Sequence, residues 1–177
     1  MAEMQRSRDA EIQKLILRTL IYADLFDYPL TEKEIIKWSC GRRIKNSELR
    51  IKEDLNQLIK NGIIEKIDGY FFLKGRGKIV KERRIKEKYS EEKLEIARKT
   101  AKKLQNISGV KMVGVTGALA MKNCSLGDDI DLAIITTKDR LWLTRLMILF
   151  LSPFLGIKRR KPKETNVQDK ICFNLFS

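Results

Sequence analysis

Asp129 and Asp131 stand two residues apart in the run Asp128-Asp129-Ile130-Asp131-Leu132-Ala133-Ile134-Ile135. The run reads as a strand, and side chains two apart on a strand share a face. The two carboxylates therefore project together while Ile130 and Leu132 turn to the core. Two adjacent carboxylates repel unless a cation lies between them. A pair of hard oxygen ligands on a rigid strand suits Mg²⁺, which takes one or two carboxylates and completes its shell with water and substrate phosphates. The chemistry this points to is phosphoryl transfer. The ordinary alternative is that Asp128, Asp129 and Asp131 are solvated turn residues, since short motifs match by chance. Against it, Asp131 sits inside an apolar run, where an idle charge is expensive.

The elements upstream must position the pair. From Val113 the chain reads as an apolar strand, then a turn led by Gly117-Ala118 into a short helix, then the acidic strand. This order resembles the signature of the DNA polymerase beta-like nucleotidyltransferase superfamily. That signature is a Gly followed by Gly or Ser, a short helix, then Asp-hydrophobic-Asp-hydrophobic, here Asp129-Ile130-Asp131-Leu132. The resemblance implies an α/β core with a small mixed sheet, and Mg²⁺ or Mn²⁺ held by Asp129 and Asp131. It further implies a nucleoside triphosphate whose phosphates approach the backbone at Gly117 and Ala118, a helix N-terminus being a natural anion site. Lys122, on the helix after that turn, is a further phosphate candidate, with a solvated role as its alternative. The implied reaction is transfer of a nucleotidyl group to a hydroxyl of an unspecified acceptor.

Two positions depart from the pattern. Ala118 supplies no hydroxyl where the family has Ser or Gly. A third carboxylate is also expected on a later strand, but the late run Ile171 to Phe176 carries Asn174 as its polar member, and Asp169 precedes that run. Because Ser177 follows the apolar run directly, the core over 107–177 is expected to be incomplete, with the third acid beyond Ser177.

The N-terminal part has a different pattern. Ile12, Leu15, Ile16, Ile21 and Leu25 give a helical apolar stripe. Pro29 ends that helix, and Thr31 with Glu34 forms a capping box for a second. Asn46 or Ser47 caps a third, with Ile51, Leu55, Leu58 and Ile59 on one face and Gly62 as its C-cap. Two short strand-like runs follow, joined by Asp68-Gly69, a hairpin signal. Three helices and a hairpin over 1–76 resemble a winged helix-turn-helix domain. In that arrangement Arg50, Lys52, Glu53, Asn56, Gln57 and Lys60 face a DNA groove, and Lys66, Lys74 and Arg76 reach phosphates. The same fold also serves as a protein-interaction module, so nucleic acid is one of two partner classes.

Residues 77–106 read as a charged helical connector broken near Tyr89-Ser90. There Ser90 with Glu91 and Glu92 suits a helix start, and Leu94, Ala97, Ala101 and Leu104 form an apolar stripe. Lys81, Arg83, Arg84, Lys86 and Lys88 read as a solvated face, with phosphate contact as the alternative. The run Lys158 to Lys163 reads as an exposed basic loop, either gathering triphosphate or nucleic acid near the active site or serving solubility alone.

Composition sets the limits. A net charge of +14 over 177 residues favours anionic partners. The absence of histidine excludes imidazole acid/base catalysis, histidine metal sites and Ser-His triads. Cys40, Cys124 and Cys172 match no zinc spacing or disulfide framework and read as incidental thiols in a reducing cytoplasm. The polar N-terminus reads as no signal peptide. Leu141 to Leu155 is apolar but too short to span a bilayer, so no integral span is expected and the segment reads as a core helix.

The expectation is an α+β chain: a winged helix, a connector, and a nucleotidyltransferase core. Its first functional reading is a Mg²⁺-dependent nucleotidyltransferase. The alternatives are a DNA-binding transcriptional regulator with a catalytically inactive nucleotidyltransferase-like domain, and an enzyme that modifies a protein or small molecule as half of a toxin-antitoxin-like pair. The oligomeric state is left open.

Overall fold

The computed structural model describes the backbone of residues 2–39 and 48–177, and the side chains of 11–39 and 49–177. Among the described residues the fold is mixed α+β, with six helices and two three-stranded sheets. It divides into two compact units, 1–84 and 85–177. No helix among the described residues is long and apolar enough to cross a membrane.

The first unit holds α1 (Ala2–Asp24), β1 (Leu30–Thr31), α2 (Glu32–Ser39), α3 (Glu48–Lys60), β2 (Ile64–Ile67) and β3 (Tyr70–Leu73). Its sheet runs β1-β3-β2, antiparallel throughout. The two-residue β1 was not anticipated by the sequence. On α1 the buried stripe is Ile12, Ile16, Leu20 and Ala23, whereas Ile21 and Leu25 are exposed. Steps of four, four and three keep one helical face inward. Ile21 and Leu25 fall off that line, which corrects the stripe drawn from the sequence.

The local signals act where they were read. Thr31 and Glu34 form the reciprocal capping box: the Thr31 backbone N–H donates to Glu34 Oε2 at 2.8 Å, and the Glu34 N–H to Thr31 Oγ1 at 3.4 Å. Gly62 has φ +65° and closes α3, with the Ile63 N–H donating to the Leu58 carbonyl. Asp68 and Gly69 both adopt positive φ, the conformation a two-residue hairpin turn needs. Asn46 and Ser47 lie outside the described residues, as does Cys40.

One helix, α4, runs unbroken from Lys78 to Leu104, and the division between the units falls inside it. Ser90 is therefore not a helix start: it is buried in the helix interior, where its hydroxyl accepts the Cys124 N–H at 3.1 Å.

Arg83 is not on a solvated face either. It is buried, stacks over Tyr28 and Tyr70 at 3.9 and 5.0 Å, and donates to the Pro29 carbonyl and to both Glu34 oxygens. Burial pushes the Glu34 carboxyl up, but the hydrogen bonds and charge of Arg83 together with the Thr31 N–H outweigh it, leaving the group below its ordinary range.

The second unit contains the rest of α4, β4 (Val110–Val115), α5 (Gly117–Ala120), β5 (Ile130–Thr136), α6 (Leu141–Leu151) and β6 (Ile171–Phe176). Its sheet order is β4-β5-β6, with β4 antiparallel and β6 parallel to β5. Ala97, Leu104, Ile130, Leu132, Ile134 and Ile148 are buried together at its centre. The helix α6 joins this core as expected, with Ile148 buried in it and Met147 and Leu151 packed against it, but along one stripe only. It buries Thr144 and Ile148 but exposes Trp142, Leu143, Leu146 and Phe150. A helix apolar all round can press only one stripe against one sheet.

Replacing Arg83 by Ala should cost the first unit about 3 kcal/mol, because it strands a half-buried carboxylate. Urea unfolding measures this, and a loss under about 1 kcal/mol would show the pair to be peripheral. A lowered carboxyl stabilises above its unfolded pKa, and that stability is lost as pH falls through the folded value. Glu34→Gln should therefore flatten the acid limb of the stability profile.

Candidate functional site

The acids are brought together at the start of β5. Ile130 and Leu132 are buried, as the alternation requires, and Asp129 and Asp131 lie on the other face, partly buried. In the parallel pairing of β5 with β6, Asp131 lies opposite Cys172. One ligand atom from each of Asp129, Asp131 and Cys172 falls within 4.8 Å of the others. Cys172 was missed by the sequence reading, which took Asn174 as the polar member of the late strand. Asn174 instead falls at the register shift between the Leu132 and Ala133 pairings, and is exposed. Only the register could have singled out Cys172.

The electrostatics mark a loaded site. Burial pushes the Asp131 carboxyl above its ordinary range; the Cys172 thiol, donating a hydrogen bond to it, works the other way, and the Asp129 charge adds to the rise. Burial and the Asp131 acceptor likewise push the Cys172 thiol up, so it stays protonated. Arg160 Nη1 donates to Asp129 Oδ2 at 2.8 Å, and this bond raises the guanidinium further. Arg160 reaches Asp129 because the basic loop runs along β6. The Arg160 N–H donates to the Ile171 carbonyl at 2.9 Å, and the Ile171 N–H to the Lys158 carbonyl at 2.8 Å.

Gly117 lies on the opposite flank. The Thr116 N–H donates to the Asp131 carbonyl at 3.0 Å, which ties the turn to the acidic strand. At φ +63°, a Cβ on Gly117 would come within 2.5 Å of Asp131 Oδ2. Only glycine lets the backbone approach this carboxylate so closely. Ala118 is exposed beside it. Lys122 is not on the helix: α5 ends at Ala120, and Lys122 follows it with φ +53°, exposed.

The other acids have structural roles. Asp128 accepts the Ser125 N–H at 2.8 Å, as a turn residue does. Asp169 pairs with Lys93 at 2.7 Å, so it is no third acid at the site. Lys93 is fully buried, and its ammonium also bonds the Leu126 and Asp128 carbonyls. It thereby ties the loop before β5 to the loop before β6, a positioning role the sequence did not signal.

The proposed nucleic-acid residues on α3 are differently placed. Lys52, Asn56, Gln57 and Lys60 are exposed and Arg50 is half-buried. Lys52 pairs with Glu32 at 3.3 Å, and Gln57 accepts from Gln13 at 2.9 Å. Arg76, assigned to phosphate contact, is instead held by Asp24 and Asp27.

Against known protein families, curated proteins and solved structures, the chain shows no match.

A carboxyl raised by folding costs stability as pH rises through its unfolded and then its folded pKa. Asp131→Asn should therefore raise the melting temperature at neutral pH and lose that advantage in acid, where the wild-type carboxyl is protonated. A lower melting temperature at neutral pH would contradict the cause assigned to the shift. Gly117→Ala should destabilise the second unit by about 1–3 kcal/mol, from strain at positive φ and the clash with Asp131, as read by denaturant unfolding.

Proposed function

We propose that the second unit is a nucleotidyltransferase-type core, transferring a nucleotidyl group from a nucleoside triphosphate to a hydroxyl with Mg²⁺ or Mn²⁺. The observation that carries this reading is the Asp129–Asp131 pair at the start of β5, with the Gly117 turn closing on Asp131. A raised carboxyl beside a second acid is a poor arrangement for stability, and such groups concentrate at functional sites. The residues fit the metal: Asp129 and Asp131 offer hard oxygens on a rigid strand, and the protonated Cys172 thiol is a weak third donor for a hard cation. Bound there, the cation would neutralise phosphate charge and lower the pKa of the attacking hydroxyl.

The chain's own groups would do the rest. The backbone at Gly117 and Ala118 would take the phosphates. Arg160, now the counter-charge of Asp129, would be released to a phosphate oxygen once a cation neutralises that carboxylate. Lys93 would hold both strand entrances in place throughout.

The second reading concerns the first unit. Its three helices, hairpin and β1-β3-β2 sheet support a winged helix, and the exposed polar face of α3 supports a DNA-binding regulator with an inactive second unit. The partners already held by Lys52 and Gln57 leave Asn56 and Lys60 as its freest contacts.

Calorimetric titration of each triphosphate with Mg²⁺ or Mn²⁺ into the full chain should show metal-dependent binding. Asp129→Ala/Asp131→Ala should abolish it. Triphosphate binding that persists in the double variant, or that ignores the metal, would sink the catalytic reading.

A further inference from the structure

Beside β6 the second unit carries a cleft of about 340 Å³ that adjoins the acid pair and shares Arg160 and Cys172 with it. Arg145, Arg159, Arg160, Lys161 and Lys163 line it, and no carboxylate does. With Arg160 paired to Asp129, four like charges remain facing one cleft, and a polyanion is the ligand that best relieves their repulsion. The cleft is not purely ionic: Phe173 and Phe176 form part of its wall. The Arg145 guanidinium lies 5.1 Å from the Phe176 ring centroid and 5.9 Å from that of Trp142, so one cation is already held in an aromatic setting. Cations that track a phosphate backbone, interleaved with rings on which bases stack, are the means by which single strands are bound without sequence preference. The volume is at the low end for a ligand pocket, which suits a nucleotide or two of single strand.

Position adds to chemistry. The Gly117 turn flanks Asp131 from the β4 side, and Cys172, which also lines the cleft, flanks it from the β6 side. Arg160 belongs to the cleft and touches Asp129. A strand lying in the cleft and extending past Arg160 and Cys172 would therefore meet the acid pair from the β6 side, opposite the turn assigned to the triphosphate. We propose that this cleft binds single-stranded nucleic acid and presents its terminal hydroxyl to Asp129 and Asp131 as the acceptor. The acceptor role rests on the nucleotidyltransferase reading; binding of the strand does not.

The test is fluorescence anisotropy of dye-labelled oligouridylate and oligothymidylate with the full chain at several salt concentrations. Arg159→Glu/Lys163→Glu reverses two exposed cleft charges outside the acid site. It should weaken binding about tenfold or more and lower the salt slope by roughly one for each phosphate left without its cation. Arg159→Gln/Lys163→Gln should do the same to a smaller extent, and serves if the reversal disturbs folding. Lys102→Glu/Lys111→Glu, two exposed cations outside the cleft, should leave binding near wild type, and Lys52→Glu/Lys60→Glu is the α3 variant that tests the rival surface. Absence of binding, loss with the α3 variant alone, a preference for duplex, or equal competition by inorganic tripolyphosphate would each overturn the proposal. Asp129→Asn/Asp131→Asn separates the two readings. It should keep oligonucleotide binding and lose nucleotidyl transfer; in the unsubstituted chain, oligonucleotide binding without transfer would sink only the catalytic reading, and triphosphate binding without oligonucleotide binding only the cleft.

Discussion

Two carboxylates fixed on one face at the start of β5 repel each other, and the second unit is organised around holding them there. Ile130 and Leu132 anchor the strand by burial on its other face. The Gly117 turn presses on Asp131 from one flank, β6 sets Cys172 against it from the other, and Arg160 offsets the charge of Asp129. The buried Lys93 gathers the Asp128 and Leu126 carbonyls and the Asp169 carboxylate, so the entrances to β5 and β6 cannot separate. Removing water from a carboxylate costs several kcal/mol unless a partner compensates. Here the compensation is partial, which is why Asp131 stays raised.

The first unit resolves the Arg83–Glu34 ion pair differently. Arg83 and Glu34 satisfy each other through two hydrogen bonds, with Thr31, Tyr28 and the Pro29 carbonyl taking further bonds and two tyrosine rings covering the guanidinium. Glu34 accordingly falls below its ordinary range while Asp131 rises above its own. A pair that is fully partnered acts as a structural clasp. A pair left short of positive charge retains an attraction for cations, and that contrast separates a folding element from a candidate site.

Short-range signals were legible in the amino-acid sequence because their physics is local. The Thr31–Glu34 box, the Gly62 cap and the Asp68-Gly69 turn each involve residues within a few positions of one another, and each has its expected geometry. The pairing of Asp129 with Asp131 followed from strand alternation alone. Readings that needed a partner distant in sequence fared worse. Arg83 was placed on a solvated face and Ser90 at a helix start; each is buried against a partner more than thirty residues away. The apolar α6 joins the core as assigned, but along one stripe only, since composition does not reveal how much sheet is available to cover it.

By itself, then, the sequence determined the helices and hairpin of the first unit, the acidic strand, and the glycine turn before it. Only the tertiary structure decided that Cys172 rather than Asn174 meets Asp131, that Arg160 meets Asp129, and that Asp169 is committed to Lys93. The reason is strand register. Side-chain period fixes which residues of one strand share a face, but which residue of a parallel neighbour stands opposite depends on the whole connection between the strands. Between β5 and β6 that connection runs through α6 and the basic loop, and its path along β6 sets the neighbours of the acid pair.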